Sequence, residues 1–280
     1  MSQTYSDTVE TARSYYNSDD ADLFYYTVWG GEDIHVGLYQ SDDESIRDAS
    51  RRTVERMCEL VGPINADMTV LDLGAGYGGA ARYLAKTYGC KVVALNLSEV
   101  ENQRDRDMNR EQGLDHLITV LDASFDKVDY PDASFDIVWS QDAILHSDNR
   151  EKVMAEAARV LKPGGKMVFT DPMQDDHADT AKLQPIYDRI HLESLASPGF
   201  YQRVAGDLGL EVERFEEHTH QLARHYGRVL AELGRQEAKV REVGVSNDYI
   251  ERMKKGLEHW VNGGKAGQLA WGIFVLRKPA

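Results

Sequence analysis

The chain has few of the residues that staple a protein together or carry it through a membrane. Two cysteines, Cys58 and Cys90, occur in 280 residues. A disulfide scaffold is therefore excluded, and neither cysteine has the spacing of a zinc ligand set. No run of 18 apolar residues occurs, and the start of the chain is polar, without the apolar centre of a secretory signal. Neither a membrane-spanning helix nor an export leader is expected. Cations are scarce too: 32 Lys and Arg face 47 Asp and Glu, a formal charge of -15. That balance repels a phosphate backbone, and no basic patch offsets it, so a nucleic-acid partner is not expected. The acids are dispersed, which serves solubility and fits a salty cytoplasm. Hydrophobic residues make up 42%, enough for a buried core and too many for disorder throughout. The expectation is a soluble cytoplasmic protein, monomer or small homo-oligomer, acting on a small molecule.

Residues 8–26 read as one helix with aromatics on one side, followed by the glycine-containing loop from Trp29 to Gly37. Residues 45–60 have helical periodicity that Gly62-Pro63 ends. Strand and helix then alternate. Apolar runs at 69–73, 91–97, 118–121, 135–139 and 166–170 are separated by helical patterns at 79–88, 99–112 and 150–160. The turn Lys162-Pro163-Gly164-Gly165 precedes the fifth strand. Such alternation predicts an α/β fold with a mostly parallel, Rossmann-like sheet. After Asp171-Pro172 comes a helical stretch too long for an ordinary connection. A strand follows at 210–215, then helices over 221–260 and an apolar run at 269–276. The chain divides into an N-terminal helical cap at 1–50, a cofactor-binding core at 51–171, a helical lid insert at 172–209 and the remainder of the core at 210–280. Cap and lid are placed to cover the carboxyl ends of the strands, where open α/β sheets bind ligands.

The sharpest local signal is Asp72-Leu73-Gly74-Ala75-Gly76-Tyr77-Gly78-Gly79. Gly74 and Gly76 permit a tight strand-to-helix turn and let a ligand lie against bare backbone. The polar residue expected to grip a ribose at the end of the second strand is Asn96, followed by Leu97. At the end of the third strand, Asp122-Ala123-Ser124 offers a carboxylate for an exocyclic adenine amine beside a small residue. The fourth strand ends in Ser140-Gln141-Asp142-Ala143-Ile144-Leu145-His146, which puts Gln141 and other polar side chains over the rim.

In this order the pieces resemble the class I S-adenosylmethionine-dependent methyltransferases. A closer resemblance lies in Trp29-Gly30-Gly31-Glu32-Asp33-Ile34-His35-Val36-Gly37-Leu38-Tyr39, Leu73 to Arg82, Leu95-Asn96-Leu97-Ser98, Trp139 to Ser147 and Gly256-Leu257-Glu258-His259-Trp260. These look like the sarcosine/dimethylglycine N-methyltransferases, and the likeness spans nearly the whole chain. It implies S-adenosylmethionine as cosubstrate, no metal, and synthesis of the osmolyte glycine betaine. The acidic, halophile-like composition agrees with that role. Glu101 stands where related enzymes carry a ribose-contacting glutamine, and as a carboxylate acceptor it suits the same contact.

Methyl transfer is an in-line displacement by nitrogen. A protonated amine has no lone pair, so the amine arrives neutral or loses its proton in the site. His146 is the candidate base or orienting group. In the similar phosphoethanolamine methyltransferases a matching histidine pairs with a tyrosine of the N-terminal helix; Tyr16 matches that tyrosine, with Tyr15 the alternative. Asp142 is placed to hold the substrate ammonium. The substrate carboxylate calls for a cation, ideally a bidentate arginine. Arg189 in the lid is the candidate, and a surface ion pair is its alternative. Trp29, His225, Trp260 and Trp271 are candidate walls. A phosphobase or other small-molecule N-methyltransferase, and a cofactor-binding protein without catalysis, are the competing readings.

Overall fold

A computed structural model of the protein describes residues 7–190 and 192–280. The polar start of the chain, on which the absence of a leader was read, lies in part outside the described residues, as does His191 of the expected lid. The single helix expected over 8–26 is two, α1 (Asp7–Tyr16) and α2 (Asp19–Val28). Ser18 breaks it: its backbone is extended, at φ -74° and ψ 139°, and its hydroxyl caps α2 by accepting from the Ala21 amide. Ser45 caps α3 (Ile46–Val61) in the same way.

The core follows as β1 (Thr69–Leu73), α4 (Gly79–Tyr88), β2 (Lys91–Asn96), α5 (Glu99–Glu111), β3 (Ile118–Asp122), β4 (Phe135–Gln141), a 3-10 turn at Ile144–His146, α6 (Arg150–Val160) and β5 (Leu161–Thr170). The rest comprises β6 (Met173–Gln174), α7 (Thr180–Ile190), α8 (Pro198–Asp207), β7 (Glu211–Glu217), α9 (Thr219–Glu242), α10 (Asn247–Lys265), β8 (Leu269–Ala270) and β9 (Gly272–Arg277). The fifth strand starts earlier than the sequence pattern suggests. Leu161 already pairs with Phe135, and a register shift before Ile137 absorbs the Pro-Gly-Gly segment inside the strand.

Seven strands form one sheet in the order β3-β2-β1-β4-β5-β9-β7. The first five run parallel, and β9 is antiparallel to both its neighbours. The order reverses between β1 and β4, which opens a crevice beyond their carboxyl ends. Period-two alternation divides the strands between two cores. Val70, Val92, Ala94, Ile137 and Val275 pack on one face with Met57 of α3 and Leu84 of α4. Leu71, Val93, Val138, Phe169 and Phe274 pack on the other with Met154 of α6 and Tyr201 of α8. The lid segment thus contributes differently at its two ends: α8 lies on the sheet, whereas α7 packs on α10.

A third core joins Phe24 of α2 to Val229 and Leu233 of α9 and to Ile250 and Leu257 of α10. The N-terminal helices therefore cap the sheet together with helices from the far end of the chain. Cys58 and Cys90 are free and buried, and burial pushes their thiols up to about 12 and about 11, which makes them unreactive. No helix among the described residues is long and apolar enough to cross a membrane.

Candidate active site

Two cavities meet beyond the carboxyl ends of β1 and β4. The first is a cleft of about 970 Å³, open to solvent on one side, over the β1–α4 turn. Gly74, Ala75 and Gly76 line it, with Asn96 and Leu97 from the end of β2, Glu101 from α5, Ser124 after β3, Gln141 at the end of β4 and Asp142 after it. Gly76 has φ +53°, and a Cβ there would stand 3.2 Å from Ile34 of the loop above. A side chain at that position is both strained and crowded.

The cleft is rich in buried carboxylates. Asn96 donates to Glu101 Oε2 at 2.9 Å, so the charge missing from the strand end is supplied from α5. Burial raises Glu101 to about 7, with Asn96 pulling the other way. Asp72 is raised to about 8 by burial and by the nearby Asp105 and Asp33. For Asp33 burial would raise the pKa, but bonding to His35 and the charges of His35, Arg51 and Arg82 bring it below the ordinary range. Its Oδ2 pairs with Arg51 at 2.7 Å, while its buried Oδ1 has no hydrogen-bond partner. Asp122 and Ala123 do not line the cleft. The Asp122 carboxylate accepts from Asn102 at 2.8 Å and from Arg106 at 2.8 Å, on an exposed flank of α5. Ala123 packs on the sheet core.

The second cavity is an inner chamber under the helical cap. It shares Tyr16, Ile34, His35, Asp142 and His146 with the cleft, so these residues form the partition. The Tyr16 hydroxyl lies 2.9 Å from His146 Nε2. Tyr15 turns away instead, its hydroxyl 2.8 Å from that of Tyr249. Burial, aided by the charges of Arg150 and Arg189, lowers His146 to about 4, and burial drives the Tyr16 phenol well above its usual value. Both groups are neutral at physiological pH.

Asp142 has φ +51°, a costly conformation for any residue but glycine. Three donors hold it there: Trp271 Nε1 at 2.8 Å and Thr170 Oγ1 at 2.7 Å on Oδ1, and the Val36 amide at 2.6 Å on Oδ2. The residue thereby fastens the loop before Val36 over the partition. It is also the one carboxylate lining the chamber among the described residues.

Arg189 reaches the chamber from α7. It has no carboxylate within ion-pair distance among the described residues; its Nη2 donates to Met253 Sδ at 2.7 Å, and Tyr15, Tyr25, Tyr226 and Tyr249 favour its charged form. The surface ion pair that was the alternative for it is not formed. Aromatic rings build the remaining wall: Tyr226 stacks on Trp260 at 5.0 Å, and Tyr25 meets Trp29 at 5.0 Å. Of the other expected wall residues, Trp271 is buried on Asp142. His225 is buried outside the chamber, its Nδ1 accepting from the Gly37 amide at 3.2 Å.

The family model described as a methyltransferase domain matches residues 71–169. The sarcosine/dimethylglycine N-methyltransferase of Halorhodospira halochloris is 61% identical over 279 residues, covering 99% of this chain and 100% of that protein. The chain belongs to the sarcosine/dimethylglycine N-methyltransferase family. A second member, from Aphanothece halophytica, is 54% identical and covers 96% of each chain. A solved structure described as a putative sarcosine dimethylglycine methyltransferase from Galdieria sulphuraria superposes with a TM-score of 0.89 at 44% identity, covering 95% of this chain and 99% of that one.

Several residues that line or support the two cavities escaped the sequence reading. Glu32 to His35 line the cleft; they lie in the Trp29–Tyr39 motif, whose length and polarity were the available signal. Arg82, 2% exposed, ties that loop to α5 through Glu32 at 2.9 Å and Asp105 at 2.6 Å. Tyr25 and Tyr226 gave no signal, because their proximity depends on the docking of α2 against α9.

Proposed function

We propose that the protein transfers methyl groups to the amine of sarcosine and then of dimethylglycine, with S-adenosylmethionine as donor and glycine betaine as final product. The observation that carries this reading is Arg189: a guanidinium without a carboxylate partner, facing a small aromatic chamber that shares a wall with the cofactor cleft. Arg189 is half-buried, and a substrate carboxylate is a partner of matching geometry for it.

The cleft suits the donor. Asp33, held charged by His35, Arg51 and Arg82, forms with Asp72 and Glu101 a carboxylate set for a cationic ligand. Asn96 and Glu101 fit a ribose diol, Gly74 to Gly76 a ligand lying against backbone, and Leu97, Ser124 and Gln141 the remaining wall. Asp122 and Ala123 would reach an adenine edge only from outside this wall. When bound there, S-adenosylmethionine supplies an electrophilic methyl group on a sulfonium.

Within the chamber Arg189 holds the carboxylate and so fixes one end of the amino acid. Tyr25, Tyr226 and Trp260 surround the other end, where aromatic faces stabilise a methylated ammonium. Asp142 adds the one negative charge on that side. Tyr16 and His146, both neutral, stand at the partition and orient the amine by hydrogen bonding rather than by carrying its proton. Positioning of this kind supplies much of the rate.

The test is direct: incubate the purified protein with S-adenosylmethionine and, separately, glycine, sarcosine, dimethylglycine or phosphoethanolamine, and identify products by mass spectrometry. Dimethylglycine from sarcosine and betaine from dimethylglycine are expected. Turnover of phosphoethanolamine in preference to both amino acids would overturn the proposal.

A further inference from the structure

We infer that Gly256 is a positioning residue for substrate recognition: its missing side chain leaves the space in which Arg189 lies to reach the chamber. The inference rests on the assignment of Arg189 to the substrate carboxylate made above. Tyr249, Met253, Gly256 and Trp260 follow one another on α10 at intervals of four, three and four residues, which puts them on one face of the helix. Tyr249, Met253 and Trp260 line the space around Arg189, and Gly256 sits among them. A Cβ built on Gly256 would stand 1.9 Å from Arg189 Nε, 2.3 Å from its Cδ and 2.6 Å from its Cζ. No other atom lies as near, so the guanidinium stem runs directly over bare helix backbone.

Local propensity argues against a glycine at this point. Gly256 lies inside a regular helix at an ordinary φ, where alanine is the better helix former. The backbone thus makes no demand for glycine; the approach of Arg189 does. The clash introduced by a methyl group falls on a flexible side chain rather than on backbone. Arg189 would therefore swing aside while the helices keep their places. Arg189 lines both the inner chamber and the outer cavity beside Tyr15 and Arg252, so a displaced guanidinium has room outside the chamber. Gly256 and Trp260, the ends of one short sequence motif, then serve one purpose: the glycine seats the cation and the tryptophan walls the space before it.

The experiment compares full-length Gly256→Ala, Arg189→Ala and the double variant, measuring steady-state kinetics for dimethylglycine, S-adenosylmethionine affinity by calorimetry and the thermal midpoint. Gly256→Ala is expected to raise KM for dimethylglycine at least tenfold, approaching Arg189→Ala, with a smaller change in kcat. Cofactor affinity and thermal midpoint should not fall, and the double variant should be no worse than Arg189→Ala. Wild-type kinetics in Gly256→Ala beside a defective Arg189→Ala would overturn the role of Gly256 and leave that of Arg189 standing. Wild-type kinetics in Arg189→Ala would overturn both. Additive defects, or a collapse of the thermal midpoint in Gly256→Ala, would show that the methyl group is felt elsewhere and would also overturn the inference.

Discussion

Replacing Tyr16 by phenylalanine distinguishes an orienting role from proton removal, because the two substrates differ by one hydrogen. Neutral sarcosine keeps one N–H, whereas neutral dimethylglycine has none. If the Tyr16–His146 pair orients the amine, it can grip sarcosine through that N–H but has nothing to grip on dimethylglycine. As the new C–N bond forms, the N–H becomes that of an ammonium, so the lost hydrogen bond is a charge-assisted one. Its loss costs about 1.5–3 kcal/mol, or about 10- to 140-fold in kcat/KM. Tyr16→Phe should therefore impair sarcosine methylation by that factor and leave dimethylglycine methylation nearly unchanged. If the pair instead removes the proton, both substrates arrive as ammonium ions and both must fall together.

The structure favours orientation. Burial and the charges of Arg150 and Arg189 hold His146 at about 4, while an alkylammonium such as that of lysine titrates near ~10.4. The gap of about six units corresponds to ~8 kcal/mol for moving a proton onto His146. General-base catalysis typically contributes 10²–10⁴-fold, about 3–5 kcal/mol, which is less than that cost. The assay is kcat/KM for both substrates in wild type, Tyr16→Phe and His146→Ala at pH 7 to 9. Rising pH increases the neutral amine for all three proteins alike, so the deficit on sarcosine should stay constant. Equal losses on the two substrates, or a deficit that closes as pH rises, would refute the reasoning.

Glu101 is held near 7, above the usual carboxylate range, so its charged form destabilises the free protein. Stability of the free protein should therefore fall as pH rises from about 4.5 to about 7 and level off above it, while affinity for the cationic cofactor rises as pH passes about 7. Glu101→Gln should reduce the slope of both profiles, in thermal melts from pH 4.5 to 8 and calorimetry from pH 6 to 8, leaving the part that Asp72, raised to about 8, contributes. Gly76→Val puts a β-branched residue at φ +53° under Ile34 and should weaken S-adenosylmethionine binding; undiminished calorimetric affinity in a folded variant would count against the cleft as its site. Phe274 is stacked between Phe169 at 5.0 Å and Phe215 at 4.2 Å, so Phe274→Ala should cost about 3–5 kcal/mol in denaturant unfolding.

The lining of the cleft was legible because its parts repeat with the βα rhythm. Each strand end delivers its residue at a known offset, and Gly74, Asn96, Ser124 and Gln141 were found by counting along strands. Asp122 shows the limit of counting. The strand ends where expected, yet Arg106 and Asn102 on α5 take its carboxylate, and spacing cannot reveal a neighbour's competing demand. The chamber was legible only in Tyr16, Asp142, His146, Arg189, Trp29 and Trp260. Its walls come from α2, α9 and α10, which pack in a third core around Phe24, Leu233 and Leu257, and from α7, which packs in the first core through Leu183 and Ile186. No local pattern announces that core, because each helix alone shows only one apolar stripe. The break at Ser18 was missed for a related reason: a capping serine and an interior serine look alike until the backbone turns extended.

The division of charge between the two cavities bears on how the reaction gains its rate. Only interactions stronger in the transition state than in the ground state accelerate the chemical step. Asp33, Asp72 and Glu101 line the cleft alone. Asp33 is charged and Glu101 partly so, whereas Asp72, raised to about 8, is largely neutral. In the proposed reaction the attraction of Asp33 and Glu101 for a cation is therefore greatest before transfer, when positive charge is still on the donor side. They serve binding and by themselves resist the reaction. The chamber must offset this by receiving positive charge well. In the proposed reaction Arg189, neutralised by the substrate carboxylate, ceases to repel it, and Tyr25, Tyr226 and Trp260, which line the chamber, offer it aromatic faces. Asp142 lines both cavities and attracts the charge on either side, so it lowers the barrier between them without favouring one end. Neutral Tyr16 and His146 at the partition complete the arrangement, since a protonated imidazole there would oppose the charge at the point it must cross.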